Sequence, residues 1–314
     1  MWAKKLLCGL GVAFACATSG LLPVEAATQR QTYPAQRVAA PLELASSSVL
    51  AVDLDSGQEL YASNPDLIRP VASITKLMTA MVVLDSNLPL NEPLSVTIRE
   101  VHEMHGVFSR VRLGSVQTRR ELLNLALMSS ENRAAATLAH YYPGGYQAFI
   151  AEMNMKAKAL GMRHTRFVEP TGLSEHNVST ARDLTRLLRA ANRYGLVRTL
   201  STSPGHSVAF SNPGYVQQFN NTNPLVRNGN WNIYLSKTGF TNAAGNCLVM
   251  TASMGGRRVA VALLDSYGKH TRFADAARLR TWLETGRSEP LRSDLRRYKE
   301  QRNQGLRNSL QASR

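Results

Sequence analysis

Two polar residues at helical spacing suggest a nucleophile and its base. The segment 73–76 (SITK) places Ser73 and Lys76 three positions apart, and on a helix such side chains share one face with Cβ atoms about 5–6 Å apart. A serine hydroxyl becomes a nucleophile when a base takes its proton, and a neutral lysine amine is such a base. Since free lysine titrates near ~10.4, we expect burial and a second nearby cation to lower the pKa of Lys76.

Two further motifs carry polar groups that suit the same chemistry. Residues 130–132 (SEN) interrupt two apolar helical patterns, and residues 237–239 (KTG) stand at the end of an apolar strand pattern. Taken singly, each motif has a simpler explanation. Ser130 or Asn132 would cap a helix, and Gly239 would give freedom to a turn after the strand. Only the three motifs together favour a catalytic site.

Other common catalytic and ligand-binding motifs are absent from the sequence. It has no G-x-S-x-G turn, no P-loop and no dinucleotide-binding glycine pattern. His102 and His105 are three positions apart, whereas the H-E-x-x-H zinc motif needs four, so a surface turn is favoured over a metal site. The net charge of +15 favours anionic partners, but no nucleic-acid-binding motif accompanies it. We therefore expect no metal, no cofactor and no nucleic acid.

The elements that must position these motifs follow from hydrophobic periodicity and turn residues. Strands are predicted at 47–54 and 59–62, which form a hairpin, and at 231–236, 246–254 and 257–265. Helices are predicted at 73–84, 119–128, 132–141, 146–160, 180–192 and 271–283, with Asp183 completing a capping box. Strands at both ends and helices between them indicate an α+β domain whose antiparallel sheet joins the two chain ends.

The two ends of the chain differ from this central part. Residues 1–26 combine Lys4 and Lys5, an apolar run and small residues before a cleavage point, as in a secretory signal peptide. Residues 27–45 predict an extended leader, and 46–286 the catalytic domain. Residues 287–314 have a local net charge of +5 and predict a solvated tail, or alternatively a tail that contacts the membrane surface or the cell wall.

Cysteine usage predicts no disulfide within the exported protein. Cys8 and Cys16 would leave with the signal peptide, so Cys247 would stand alone. Its apolar neighbours indicate a buried strand, which favours a small core residue over a catalytic thiol.

The three motifs in this order, followed by KTGFTNAAGNC, resemble the penicilloyl serine transferases, which are the D,D-peptidases, penicillin-binding proteins and serine β-lactamases. VASITKLMTAMVVLD, SSENRAA and SKTGFTNAAG look most like the D-alanyl-D-alanine endopeptidases, over residues 46–283. The resemblance implies the serine β-lactamase/D,D-peptidase-like fold, an antiparallel sheet flanked by helices with a helical subdomain. It also implies that cross-linked peptidoglycan is the substrate, that β-lactams are covalent inhibitors and that the location is periplasmic.

The same resemblance implies roles for the three catalytic residues. Ser73 would attack the carbonyl of the penultimate D-alanine and form an acyl-enzyme, with Lys76 as its base. Ser130 would relay a proton to the leaving amine.

It also implies a set of substrate-binding groups. Asn132 would hold the acyl-side amide, and Lys237 and Thr238 would bind a substrate carboxylate. Beyond Gly239, the Phe240 N–H would form the oxyanion hole together with the Ser73 N–H.

Three alternatives to an endopeptidase stay open at this point. A carboxypeptidase is one alternative: some relatives carry a second, β-rich domain and are typically carboxypeptidases, and the 75 residues after Gly239 leave no room for such a domain. A β-lactamase would use Glu169 for deacylation, but the following E-L-N is missing here, and a turn explains Pro170 and Gly172. A non-catalytic wall-binding or β-lactam-sensing protein would not need Ser73, Lys76 and the other motif residues.

Overall fold

The computed structural model describes residues 41–312, without the side chains of 306, 307 and 309–312. Its strands are β1 (Ser48–Asp53), β2 (Glu59–Ser63), β3 (Arg69–Pro70), β4 (Pro93–Ser95), β5 (Val116–Thr118), β6 (Val178–Ser179), β7 (Gly205–Phe210), β8 (Tyr215–Asn220), β9 (Ile233–Thr241), β10 (Gly245–Met254) and β11 (Arg257–Ser266). Its α-helices are α1 (Thr75–Asp85), α2 (Arg119–Met128), α3 (Asn132–His140), α4 (Gly145–Ala159), α5 (Ala181–Ala191), α6 (Gly195–Ser201), α7 (Pro224–Arg227), α8 (Gly268–Thr285) and α9 (Ser293–Ala312). Short 3-10 helices span Ala72–Ile74 and His102–Met104.

A five-stranded antiparallel sheet connects the early and late parts of the chain. Its strand order is β2-β1-β11-β10-β9, and β1 pairs with β11 in a register that places Ser48 opposite Leu264. The hairpin β1-β2 and the hairpin β10-β11 are both formed. The predicted α+β architecture is therefore confirmed.

Both faces of the sheet are covered by helices. In β1, Leu50 and Val52 belong to the larger core with α1, α2 and α5, whereas Val49 and Ala51 pack with α8 on the opposite face. This period of two follows from the alternation of side chains along a strand. Because both faces are buried, every residue of β1 is buried, and its sequence alternates less than a half-exposed strand would.

The predicted helices are present, with differences at their ends. The predicted helix at 73–84 begins as the 3-10 turn and continues as α1, which is buried on nearly every face. The predicted capping box of α5 is half formed. The Thr180 Oγ1 atom accepts from the Asp183 N–H at 3.0 Å, but the Asp183 carboxylate accepts from the His164 N–H at 2.7 Å instead of returning to Thr180.

Two predictions near the sheet edges and the C terminus are wrong. The KTG motif does not end its strand, because β9 continues to Thr241. The described part of the basic tail is not a solvated segment. It forms α9, whose Tyr298 and Arg302 contact the buried Asp265 carboxylate.

The described end of the predicted leader also joins the core. Leu44 and Ala45 are fully buried, and the Ala45 N–H donates to the Asp275 carboxylate at 3.0 Å. Cys247 is buried in β10, as predicted for a core residue. The predicted signal peptide lies outside the described residues. None of the helices described is both long and apolar enough to cross a bilayer.

Candidate active site

The candidate nucleophile lies in the turn that precedes α1. Ala72 has a φ of +48°, a left-handed conformation that costs a non-glycine residue about 1–3 kcal/mol. Ser73 is partly exposed at this turn, and Lys76 is fully buried one helical turn later. The Lys76 Nζ atom lies 2.8 Å from the Ser73 Oγ atom. The two side chains therefore meet as their spacing predicts.

The other partners of the Lys76 amine determine how it can act on Ser73. Lys76 Nζ donates to the Asn132 Oδ1 atom at 2.7 Å and to the Thr171 carbonyl oxygen at 2.5 Å. Both oxygens only accept. A neutral amine has two N–H bonds and one lone pair, so these two acceptors use both N–H bonds. The lone pair is then left for the Ser73 hydroxyl, and the arrangement favours proton transfer from Ser73 to Lys76.

Burial makes the neutral amine accessible near neutral pH. It lowers the pKa of Lys76 to about 7, although the charges of Glu169 and Glu131 act in the opposite direction. The sequence-based expectation of a lowered pKa is therefore confirmed, with burial as the cause. A lysine with this pKa is about half neutral at pH 7.

The second lysine links the KTG motif to the SEN motif. Lys237 Nζ donates to the Ser130 Oγ atom at 2.8 Å and to the Thr238 carbonyl at 3.0 Å. Burial, together with the charges of Lys76 and Arg272, lowers the pKa of Lys237 well below its usual value. The second cation expected to lower the pKa of Lys76 is not among its causes; the charge of Lys76 instead lowers the pKa of Lys237.

Ser130 is held in a strained turn between α2 and α3. Its φ is +62°, and α3 is capped by Glu131 without a side-chain hydrogen bond. The alternative explanation of Ser130 as an ordinary helix cap is therefore wrong. Its hydroxyl is left for Lys237.

Strand β9 passes very close to the nucleophile turn. A Cβ atom on Gly239 would lie 3.0 Å from the Val71 carbonyl oxygen, 3.1 Å from the Ala72 Cβ atom and 3.3 Å from the Ser73 nitrogen. Gly239 therefore permits a close approach that a larger residue would crowd, and the predicted role of backbone freedom in a turn is wrong.

The site opens into a cleft of about 570 Å³, whose lining residues include Ser73, Ser130, Asn132, Thr238 and Gly239. Phe240 also lines it and is 58% exposed. The hydroxyl of Thr238 donates to the Thr222 Oγ1 atom at 2.6 Å. All eight residues singled out from the sequence thus lie in or directly beneath one cleft.

A buried carboxylate shapes the loop that supplies the Thr171 carbonyl. Glu169 is 1% exposed. It accepts from the N–H and hydroxyl of Thr171 at 2.6 and 2.5 Å, from the Gly172 N–H at 2.5 Å and from the Asn177 side chain at 2.8 Å. Burial raises the pKa of Glu169. The turn expected from Pro170 and Gly172 is present, and the carboxylate is engaged within it.

Sequence reasoning missed several groups around the site. Thr171 reaches Lys76 only through its main-chain oxygen. Thr222 and Arg272 contact β9: Thr222 accepts from the Thr238 hydroxyl, and the Arg272 guanidinium donates to the Gly239 carbonyl at 2.8 Å. No signal in the sequence marks Thr171 or Arg272. Glu169 was noticed as the alternative deacylating residue, and its apolar and glycine neighbours are the only sequence signal for a buried loop.

Comparison with known proteins gives consistent matches over most of the chain. A family model described as D-alanyl-D-alanine carboxypeptidase matches residues 34–268. The D-alanyl-D-alanine endopeptidase of Escherichia coli (strain K12) is 60% identical over 260 residues, which cover 83% of this chain and 84% of that protein. The D-alanyl-D-alanine endopeptidase of Pseudomonas aeruginosa is 57% identical over 283 residues, covering 90% and 91%.

Solved structures with the same fold are also similar to this chain. The Streptomyces K15 DD-transpeptidase has a TM-score of 0.71 at 28% identity and covers 78% of this chain and 98% of its own. Penicillin-binding protein D2 from Listeria monocytogenes, solved in the cefotaxime-bound form, has a TM-score of 0.67 at 30% identity, with coverage of 76% and 97%.

Proposed function

Because the chain belongs to the D-alanyl-D-alanine carboxypeptidase family, we propose that it hydrolyses D-alanyl cross-links in peptidoglycan through an acyl-enzyme on Ser73. It is a D,D-peptidase of the serine type, as its motifs predict. The endopeptidase activity agrees with relatives of that name at 60% and 57% identity. The observation that carries the catalytic assignment is the Lys76 amine, which meets two acceptor oxygens and the Ser73 hydroxyl.

The proposed acylation step moves one proton and exchanges two bonds. The Ser73 Oγ atom attacks the carbonyl carbon of the donor D-alanine while Lys76 Nζ takes the hydroxyl proton. The C–N bond then breaks, and the leaving amine receives a proton through Ser130, which Lys237 orients at 2.8 Å. Water hydrolyses the ester to release the donor peptide and restore the Ser73 hydroxyl.

The remaining motif residues are assigned to substrate binding. Lys237 and Thr238 hold the carboxylate beside the scissile amide, and Asn132 holds the acyl-side amide. The oxyanion lies between the N–H groups of Ser73 and Phe240, where the loss of one donor typically costs about 3–4 kcal/mol. Phe240 acts through its main chain, which agrees with its exposed side chain.

β-Lactams are proposed as covalent inhibitors that acylate the same serine. The cefotaxime-bound relative supports this assignment. A β-lactamase that uses Glu169 is disfavoured, because the Glu169 carboxylate accepts four hydrogen bonds from Thr171, Gly172 and Asn177.

We also propose that residues 1–26 direct export to the periplasm, where peptidoglycan is accessible. The basic, apolar and small-residue segments of that sequence support the proposal. Residues 46–286 are proposed as the catalytic domain. Attachment to the membrane surface or the wall through 287–314 stays a prediction.

The test is mass spectrometry of the purified protein after benzylpenicillin, with a parallel assay on muropeptide dimers and on a D-alanyl-D-alanine peptide. We expect a stable adduct on Ser73 and conversion of dimers to monomers, and neither with S73A. Release of D-alanine without dimer cleavage would make the protein a carboxypeptidase, which the family description supports as the second candidate. Rapid penicillin turnover without an adduct would identify a β-lactamase.

A further inference from the structure

The cleft has a rim of basic residues that the proposed mechanism does not use. We define the rim as Arg227, Lys269 and His270, all exposed residues that line the same cleft as Ser73. None of the cleft-lining residues is acidic. Among the side chains that the structure describes, Lys269 and His270 have no hydrogen bond or ion pair, and Arg227 donates only to the Asn221 carbonyl at 2.8 Å. The rim therefore has donors available for an anion.

The rim flanks the part of the cleft that contains Thr238. On one side, the guanidinium of Arg272 in α8 bonds to the Gly239 carbonyl at 2.8 Å, and Lys269 lies three positions earlier on the same face of α8. On the other side, Thr222 bonds to the Thr238 hydroxyl at 2.6 Å and is followed by α7, which ends at Arg227. The segments that carry the rim residues are thus held against β9 at Thr238 and Gly239, and the rim residues line the same cleft.

The position of the rim matches the leaving group of the proposed reaction. Lys237 and Thr238 are assigned to the carboxylate beside the scissile amide, which belongs to the residue that leaves. When that residue is a single D-alanine, it has no other carboxylate. When it belongs to a second stem peptide, the leaving group extends further and carries additional carboxylates.

We propose that Arg227, Lys269 and His270 form a second carboxylate subsite, which binds the acceptor stem peptide of a cross-link. This subsite would favour cleavage of cross-links over removal of a terminal D-alanine. The proposal rests on the proposed function. Because the rim is exposed, its attraction for carboxylates is screened by salt, with a Debye length of about 3 Å at 1 M compared with about 10 Å at 0.1 M.

The experiment compares two substrates with the same acyl part, a muropeptide dimer and a D-alanyl-D-alanine peptide. For K269A/H270A, and separately for R227A, we expect the ratio of kcat/KM for the dimer to kcat/KM for the peptide to fall about ten-fold, mainly through KM. K158A is the matched control, because Lys158 is an exposed lysine of α4 outside the cleft, and its ratio should not change. Benzylpenicillin labelling of Ser73 checks that each variant is folded.

A substrate without acceptor carboxylates tests the same contact by changing the ligand instead of the protein. A dimer whose acceptor carboxylates are amidated should be cleaved more slowly by the wild type, and K269A/H270A should slow it no further. High salt should likewise raise the wild-type KM for the unmodified dimer, and should raise the KM of the double variant, which keeps Arg227, by a smaller factor.

The outcomes separate this proposal from the proposed function. Equal losses on both substrates, or no loss on the dimer, would overturn the subsite while leaving the endopeptidase assignment intact. A wild-type protein that releases D-alanine from the peptide and does not cleave the dimer would overturn both.

Discussion

At the residue scale, the surroundings of Lys76 suit a base, because they use its N–H bonds and leave its lone pair free. Asn132 and the Thr171 carbonyl occupy the two N–H bonds of Lys76, and Ser73 lies at the third position. An isolated buried ammonium would be costly, so the neutral form is favoured by the same burial that hides the amine from water. The burial of Lys76 and the contacts that orient its lone pair thus both favour proton transfer from Ser73.

The rate of acylation by benzylpenicillin should depend on pH through Lys76. Its pKa is lowered to about 7, and only the neutral amine accepts the Ser73 proton, so the rate should rise with pH and level off above about pH 8. The measurement is the second-order acylation rate between pH 5 and 9. A rate that stays constant over this range would show that Lys76 is not the base.

Replacement of Glu169 separates a charge effect from a role in deacylation. Its negative charge raises the pKa of Lys76, so E169Q should move the rising limb of the acylation profile to lower pH. The lifetime of the penicilloyl adduct should stay within about two-fold of wild type, because the carboxylate faces Thr171 and Gly172. E152Q on α4 is the control. An adduct that becomes much longer-lived in E169Q would support a lactamase-like use of Glu169.

The side chains proposed for the chemistry were predictable from the sequence, and their supporting groups were not. Ser73, Lys76, Ser130 and Lys237 are identified because the reaction needs those residue types in a recognisable order. The Thr171 carbonyl was not predictable, because every residue type has one and only the fold determines which one reaches Lys76.

At the scale of elements, the site depends on the contact of two backbone segments with the nucleophile turn. β9 approaches that turn at Gly239, and the loop held by Glu169 approaches it at Gly172. A Cβ atom on Gly172 would lie 1.9 Å from the Ala72 carbonyl oxygen, a distance that backbone atoms cannot tolerate. Gly172 also has a φ of +83°.

The variant G172A should therefore displace the nucleophile turn. We expect the rate of acylation to fall at least ~100-fold. The free energy of unfolding should fall by the cost of an alanine with positive φ and, because of the clash with Ala72, by about 1–3 kcal/mol more. G161A provides the match, because Gly161 also has a positive φ, +72°, and no atom within 4 Å of a built Cβ. The free energy of unfolding of G161A should fall by about 1–2 kcal/mol, and its rate of acylation should not change. Equal effects of the two variants would contradict close contact at Gly172.

The strands of the five-stranded sheet and the helices α1–α5 and α8 were predictable, because hairpin turns and helical periodicity are local signals. The β10-β11 hairpin and α2 are formed as predicted. The end of β9 was not predictable, because a glycine such as Gly239 usually indicates the end of a strand. Only the proximity of Ser73 explains why Gly239 lies inside β9. The tail was misjudged because α9 docks through polar contacts, which leave no continuous apolar stripe.

At the scale of the whole molecule, Asp265 connects three distant parts of the chain. Its fully buried carboxylate accepts from Arg69 at 2.7 Å, from Arg302 at 2.7 Å and from the Tyr298 hydroxyl at 2.8 Å. Arg69 lies in β3, four positions before Ser73, so α9 and the strand leading to the nucleophile share one anchor. Arg69 is itself 2% exposed and has no other carboxylate within ion-pair distance among the described residues.

The variant D265N keeps the shape of this side chain and removes its charge. Breaking one partner of a buried ion pair typically costs about 3–5 kcal/mol, because the other charge stays buried without compensation. We expect D265N to lower the free energy of unfolding by this amount in urea titrations, and to slow acylation of Ser73 because β3 loses its anchor. R302A, whose side chain is 34% exposed, should cost only about 1 kcal/mol.

R297A removes an exposed arginine of the same helix and should change stability by less than about 0.5 kcal/mol. A D265N protein as stable as R297A would show that the Arg69 charge is not held by Asp265, and that α9 and the nucleophile strand are stabilised independently.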